Sequence, residues 1–274
     1  MEIIKAEKLR FDAKAGESRC RALHDVSVLV KEGELLCILG GSGAGKTSFI
    51  HCLNGLSSPD GGELSLCGMD CRKGENHWEI RKKCALVPER AEDCYLSTSV
   101  QSELAYALRN FKPELAEIEE CVARALSLVG LEGFENRSMP LLSPFERYCV
   151  ALASAIAYEP DIILIDSFAE GFDCKAKEQL HRIVKNIHQS GKTIIYTTRE
   201  PKDAIMAERI VLMDKGRVLA CDSPRELLCN NKLLGSVGLE LPFAVRVYYD
   251  LLEAGAQLPA CPLDIDELVE EICK

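Results

Sequence analysis

Apolar residues fall in two rhythms along this chain. Leu35-Leu36-Cys37-Ile38-Leu39, Ile162-Ile163-Leu164-Ile165, Thr193-Ile194-Ile195-Tyr196-Thr197 and Ile210-Val211-Leu212-Met213 are apolar at nearly every position. Runs this short and this rich in branched side chains predict strands buried on both faces, as in a parallel sheet. Other segments repeat their apolar positions every three or four residues. Leu180, Ile183, Val184 and Ile187 mark one helix face; Leu115, Ile118, Cys121, Val122, Ala125, Leu126 and Val129 mark another, which Gly130 ends. Ala22 to Val30 and the alternating Glu63 to Cys67 read as further strands, and the pattern from about 98 to 158 is helical. Strands alternating with helices predict an α/β fold. After Asp222-Ser223-Pro224 the pattern changes to short helices broken by Pro242, Pro259 and Pro262. The expected organisation is a main domain over 1–221, a helical subdomain at about 90–158 inserted in it, and a small extension over 222–274.

Composition narrows the function classes. Lys and Arg number 33 against 43 Asp and Glu, a net charge of −10, which argues against nucleic acid as a partner. The longest apolar helical run, Val150 to Ala157, is far short of a membrane span. The charged start, Met1-Glu2-Ile3-Ile4-Lys5-Ala6-Glu7-Lys8, predicts no signal peptide. Fourteen scattered cysteines without a Cys-x-x-Cys pair predict reduced thiols acting as small hydrophobes. His24, His51, His77, His181 and His188 show no metal-ligand spacing, and Trp78 reads as a packing anchor. The acidic end, Asp264 to Glu271, predicts a solvated helix face with Leu268, Val269 and Ile272 buried.

One motif carries chemistry by itself. Gly40-Gly41-Ser42-Gly43-Ala44-Gly45-Lys46-Thr47 satisfies G-x-x-x-x-G-K-[ST], follows an apolar strand and opens a helical stretch beginning at Ser48. Small residues let backbone N–H groups surround phosphate oxygens, Lys46 meets the terminal phosphates, and the Thr47 hydroxyl holds Mg²⁺. Asp166, which ends the strand Ile162 to Ile165, is the expected second Mg²⁺ ligand.

Around this motif the chain resembles the ATPase subunits of ATP-binding-cassette (ABC) transporters over nearly its whole length. Leu142-Ser143-Pro144-Phe145-Glu146 stands where the family carries its LSGGQ signature, about twenty residues before the strand that ends at Asp166. Gly171-Phe172-Asp173 looks like the D-loop. Glu63-Leu64-Ser65-Leu66-Cys67-Gly68 is similar to the antiparallel strand after the first helix, and Leu86-Val87-Pro88-Glu89 occupies the place of the Q-loop. The tail, with Gly238-Leu239-Glu240-Leu241-Pro242-Phe243 and Leu268-Val269-Glu270-Glu271, resembles the extension of energy-coupling factor ATPases. The resemblance implies a P-loop fold with a mixed-sheet core, an antiparallel β-subdomain and a helical subdomain. It also implies ATP and Mg²⁺ as cofactors, and a second ABC ATPase subunit as dimer partner. A transmembrane coupling subunit and a substrate-binding membrane subunit would complete the assembly, with this chain on the inner face of the cell membrane.

The sequence departs from that family at the hydrolytic positions. Ser167 replaces the glutamate that acts as general base, and a serine hydroxyl cannot take a proton near neutral pH. Arg199 stands at the switch histidine and Glu89 at the Q-loop glutamine, where it keeps an oxygen for Mg²⁺. In the signature, Ser143 remains, but Pro144 lacks an N–H and Phe145 adds bulk; Glu146 follows as in the family. Asp173 is kept. Ala13 takes the place of the aromatic that stacks on adenine, and Phe11, two residues earlier on the same face, is the substitute. Glu170 and Glu200 are alternative bases.

These features leave two readings open. One is an ATP-binding transport subunit that powers or gates uptake of a small solute with weakened hydrolysis at its own site. The other is a nucleotide-binding partner without catalysis of its own, or an ABC protein with no membrane partner. A guanine-reading NKxD motif is absent, since Asn231-Lys232 is followed by Leu233-Leu234.

Overall fold

Unbroken apolar runs and periodic segments become the strands and helices of a computed structural model that describes residues 1–15, 18–112 and 117–273. The chain begins with β1 (Glu2–Ala15), β2 (Ser18–Lys31), β3 (Leu35–Leu39), α1 (Lys46–Leu53), β4 (Gly61–Leu66) and β5 (Met69–Asp70). It continues through α2 (His77–Lys83), β6 (Cys84–Val87), α3 (Val100–Phe111), α4 (Ile118–Leu128), α5 (Pro144–Ala157) and β7 (Ile162–Ile165). Then follow α6 (Cys174–Gln189), β8 (Thr193–Thr198), α7 (Pro201–Ala204), β9 (Arg209–Asp214) and β10 (Arg217–Asp222). The tail holds α8 (Pro224–Leu228), α9 (Asn231–Ser236), α10 (Phe243–Glu253) and α11 (Ile265–Ile272).

The main sheet has the order β10-β9-β3-β8-β7-β6, parallel except for the antiparallel edge strand β10. Its central strands are apolar throughout because both faces are covered. Leu35, Cys37 and Leu39 of β3 belong to one core with α5 and α6, while Leu36 and Ile38 belong to a second with Phe49 and Ile50 of α1. That second core is closed by an antiparallel sheet of order β2-β1-β4-β5, in which Ile4, Leu9 and Leu23 are fully buried. The expected antiparallel strand at Glu63 to Cys67 is β4, paired with β1.

Helices α3, α4 and α5 share the first core through Leu104, Leu108, Val122, Leu126 and Val150. Of the expected apolar face, Cys121, Val122, Ala125, Leu126 and Val129 are buried, and Leu115 lies outside the described residues. Gly130 adopts a positive φ of 75° and its N–H donates to the Ser127 carbonyl, which stops the helix as expected. Trp78 stacks on Phe111 at 5.4 Å, and Phe111 on Tyr158 at 4.5 Å.

Two expectations for the tail are corrected. Leu268 of α11 is buried, but Val269 and Ile272 are each 54% exposed. Helix α11 rests on the tail through one apolar position and through Arg225 Nη2, which donates to both carboxylate oxygens of Glu267 at 2.8 and 2.9 Å, and its remaining apolar stripe is left exposed among the described residues. The cysteines are not all free: Cys229 and Cys261 are joined in a disulfide that links the end of α8 to the segment before α11. The buried Cys37, Cys52, Cys71, Cys84, Cys121 and Cys149 do behave as small hydrophobes, and burial raises the thiols of Cys52, Cys71 and Cys149 to about 12.

Candidate functional site

Strands β3, β8, β7 and β6 lie side by side and end at one edge of the sheet. The residues leaving those ends are Gly40 to Lys46 after β3, Arg199 after β8, Asp166 and Ser167 after β7, and Glu89 shortly after β6. Register ties them together. The Gly40 N–H donates to the Thr198 carbonyl at 3.3 Å, and the Asp166 N–H to the Val87 carbonyl at 2.9 Å. Polar groups distant in sequence therefore collect where the carboxyl ends of parallel strands open into loops.

The loop after β3 is built on two glycines that nothing else can replace. A Cβ on Gly40 would lie 2.4 Å from the Met213 carbonyl oxygen, and one on Gly45, at φ +96°, 2.7 Å from that of Ala22. A Cβ on Gly41 or Gly43 would meet nothing within 4 Å, so the other side of the loop is open. Lys46 is buried and its Nζ donates to the carbonyl oxygens of Gly40 (2.7 Å) and Gly41 (2.9 Å). Burial lowers its pKa; the carboxylate of Glu170 opposes that shift, the Arg199 cation adds to it, and Asp166 opposes it again. All three groups are thus within electrostatic reach of the lysine. Thr47 and Ser48 sit half-buried in the first turn of α1.

Asp166 is 1% exposed. Its Oδ1 accepts from the Thr197 hydroxyl at 2.7 Å, and that hydroxyl in turn accepts from the Ser167 N–H at 2.7 Å. The other oxygen, Oδ2, has no hydrogen-bond partner among the described residues. An orphaned buried carboxylate oxygen is costly unless a cation meets it. A carboxylate oxygen of this kind is a hard donor, as are the Thr47 hydroxyl and the Glu89 carboxylate that leave the neighbouring strand ends, and hard oxygens fit Mg²⁺.

Beyond Asp166 the chain turns sharply, with positive φ at Ser167 (54°) and Ala169 (57°), and the Glu170 N–H donates to the Ser167 carbonyl at 3.3 Å. This turn returns Glu170 to the strand ends, where its Oε2 accepts from Arg199 Nη2. The Glu170 side chain is only 13% exposed, and its Oε1 is buried without a partner among the described residues. Arg199 has a raised pKa through this bond and the Glu170 charge, with smaller contributions from Glu89 and Glu200. Glu200 is engaged elsewhere: Lys177 Nζ donates to it, and Lys202 lies 3.8 Å away. Glu89 is exposed.

The stretch Ser143 to Glu146 forms the start of α5. Ser143 caps the helix by accepting from the Glu146 N–H at 3.2 Å, while the Glu146 carboxylate accepts from the Ser143 N–H at 2.7 Å. Those bonds hold the Glu146 carboxyl below its usual range. Pro144 takes the first helical position, where a missing N–H is harmless to the helix. Phe145 packs edge-on against Phe172 at 5.7 Å, and Tyr148 joins from the other side at 5.4 Å. Asp173 caps α6 by accepting from the Ala176 N–H at 2.9 Å. Phe11 is half-buried and packs on the second core, opposite Leu23 across the β1–β2 ladder; Ala13 pairs with Cys20 further along.

Sequence reasoning overlooked two features of this edge. Thr197, fully buried, orients both Asp166 and Ser167; a hydroxyl at the end of an apolar strand was the available signal. The pairing of Glu170 with Arg199 has no sequence signal, because the two are 29 residues apart on different loops.

The profile of the ABC transporter family matches residues 23–169. The chain is 32% identical to the energy-coupling factor transporter ATP-binding protein EcfA1 of Bacillus subtilis over 272 residues, covering 99% of this chain and 96% of that protein. It is 30% identical to the cobalt import ATP-binding protein CbiO of Syntrophus aciditrophicus, over 98% and 96% of the two chains. Among solved structures, CbiO1 of Clostridium perfringens, part of an ABC transporter complex, superposes with a TM-score of 0.76 over 90% of this chain and 99% of that one, at 24% identity.

Proposed function

From the premise that the chain belongs to the ABC transporter family, as an ATP-binding protein of the energy-coupling factor type, we propose that it is the ATP-binding subunit of an uptake transporter for a small solute, with hydrolysis weakened at its own site. ATP binding is a property of the family. The observation that carries the rest is the row of strand ends, in which an intact phosphate loop stands beside Asp166 while no carboxylate follows Asp166 directly.

In this reading the open side of Gly41 to Ala44, with Gly40, Gly45, Lys46, Thr47 and Ser48, receives the phosphates, and Phe11 takes the adenine-stacking role in place of Ala13. Thr47, Asp166 and Glu89 hold Mg²⁺. When bound, ATP supplies the phosphoanhydride whose cleavage drives the transport cycle. Lys46 then exchanges its bonds to the Gly40 and Gly41 carbonyls for phosphate oxygens. Ser167 cannot accept the proton of an attacking water, and loss of a positioned base costs about 10²–10⁴ in rate. The start of α5 (Ser143, Pro144, Phe145, Glu146) and Asp173 would face the site of a second ABC ATPase subunit. Pro144 removes one N–H from that surface and Phe145 is turned onto Phe172, which supports a second weakening at the partner's site.

A transmembrane coupling subunit and a substrate-binding membrane subunit complete the assembly, and the chain sits at the cytoplasmic side of the membrane. No helix among the described residues is long and apolar enough to cross a membrane, so attachment goes through partners. The uncovered Ile265, Val269 and Ile272 of α11 support a dimer contact in the extension over 222–274. The test is ATP binding and single-turnover cleavage by the purified chain with Mg²⁺, with Lys46→Ala as control. Binding that Lys46→Ala removes, with ATP uncleaved over many minutes, is the expected result. Cleavage at an ordinary ABC rate would show that another carboxylate is the base.

A further inference from the structure

Arg199 is a permanent cation at the edge of the phosphate loop: it shares with Gly41 the wall of a cavity of about 400 Å³. In the chain as it stands, that cation is already taken. Its Nη2 donates to Glu170, and the nearby charges of Glu89 and Glu200 also favour the Arg199 cation. Glu170 is delivered by a turn with two non-glycine residues at positive φ, Ser167 and Ala169. Backbone in that region is uncommon outside glycine and persists only where surrounding contacts hold it. The Ser167 N–H bond to Thr197, the Phe168 N–H bond to the Thr197 carbonyl at 2.8 Å and the full burial of Phe168 supply those contacts. Lys46, by contrast, rests on backbone carbonyls and forms no ion pair with a carboxylate among the described residues. Lys46 is therefore held only by exchangeable backbone bonds, Lys202 on the same cavity wall lies 3.8 Å from Glu200, and Arg199 is neutralised by Glu170.

We propose that Glu170 stands in for a terminal phosphate: it holds Arg199 in the nucleotide-free chain and must release it before Arg199 can engage a triphosphate, so the pair sets the preference between ATP and ADP. The proposal rests on the reading of the loop as an ATP site and goes beyond it. A γ-phosphate carries the charge needed to compete for Arg199, as a guanidinium binds carboxylate and phosphate through the same fork. A diphosphate, one group shorter, leaves Glu170 in place. Glu170 thus weakens ATP binding more than ADP binding, beyond the field it exerts on Lys46 in either case. The buried, unpartnered Oε1 favours this exchange, because a Glu170 freed from Arg199 can turn that oxygen toward water.

The experiment is equilibrium binding of MgATP and MgADP to the full chain, read by calorimetry, for wild type, Glu170→Gln, Glu170→Ala, Arg199→Ala and the double variant Glu170→Gln/Arg199→Ala. Thermal melts verify that each variant is folded. Both Glu170 variants are expected to bind ATP about three- to tenfold more tightly, the range of a partly buried ion pair released to a competing anion, with ADP affinity changed less than twofold. In the Arg199→Ala background, Glu170→Gln is expected to give ATP no advantage over ADP. Equal changes for ATP and ADP in the Arg199 background, weaker ATP binding, or an ATP-over-ADP gain that persists without Arg199 would each overturn the proposal. Failure of the underlying site reading looks different: wild type would then bind ATP weakly or not at all, or Lys46→Ala would leave binding intact.

Discussion

The loop Gly40 to Thr47 and the head of α5 differ in what fixes their residues. The loop Gly40 to Thr47 is fixed at two of its glycines by the fold: the Met213 and Ala22 carbonyls stand where a Cβ would go at Gly40 and Gly45. At the head of α5, Pro144 and Phe145 fill positions where the family has glycines, and the helix gains from it. Proline suits its first turn, the Ser143–Glu146 box satisfies its end, and Phe145 gains an edge-on ring contact. A glycine locked in place by neighbouring backbone is retained for folding as much as for function. At the head of α5 the residues present are instead those that stabilise the chain's own helix.

The comparison can be pressed at the catalytic edge first. Ser167→Glu returns a carboxylate to the residue after Asp166 and is expected to raise single-turnover cleavage about tenfold to a hundredfold. That is less than the full contribution of a positioned base, since Arg199 still stands in place of histidine. No gain would mean that the signature and Arg199, not Ser167, limit the chemistry. Next comes a contrast within the phosphate loop. Gly45→Ala combines a positive φ with a Cβ 2.7 Å from a carbonyl oxygen and is expected to cost about 2–4 kcal/mol of stability. Gly41→Ala, which meets nothing within 4 Å, should cost less than about 0.5 kcal/mol by the same thermal unfolding measurement. If the two cost the same, the locked glycine is not the reason the loop is intact.

At the head of α5, Ser143→Ala should remove about 1 kcal/mol of capping and lower Tm by about 2–4 °C. The smallest expected effect is the pH dependence of that box. Its backbone bonds depress the folded-state pKa of Glu146 below the unfolded value near 4.3. The stability it contributes is therefore complete above that value and lost as pH falls through the lower, folded one. Glu146→Gln should melt below wild type at pH 7, and the difference should shrink as the pH is taken from 5 toward 3. A difference independent of pH would assign the stabilisation to the side chain's shape rather than its charge.

The sequence alone determined much of this protein. The apolar runs at 35–39, 162–165, 193–197 and 210–213 read as buried strands because they are short and rich in branched side chains, whereas the longer, alanine-rich run at 150–157 is helical. The phosphate loop was legible because its chemistry is local, eight consecutive residues between a strand and a helix. Asp166 was legible because a carboxylate ends an otherwise apolar run. What remained for the tertiary structure was everything set by contacts between distant segments. Glu170 meets Arg199 only because two non-glycine residues after β7 turn the chain back toward β8. Thr197 orients Asp166 only because β7 and β8 are neighbours in the sheet. In the tail, the periodicity of Leu268, Val269 and Ile272 marked an apolar stripe correctly, yet periodicity names a face and not what covers it. The fold buries Leu268 and leaves Val269 and Ile272 outside. The joining of Cys229 to Cys261 was equally invisible, since spacing along the chain says nothing of which thiols a set of short helices brings together.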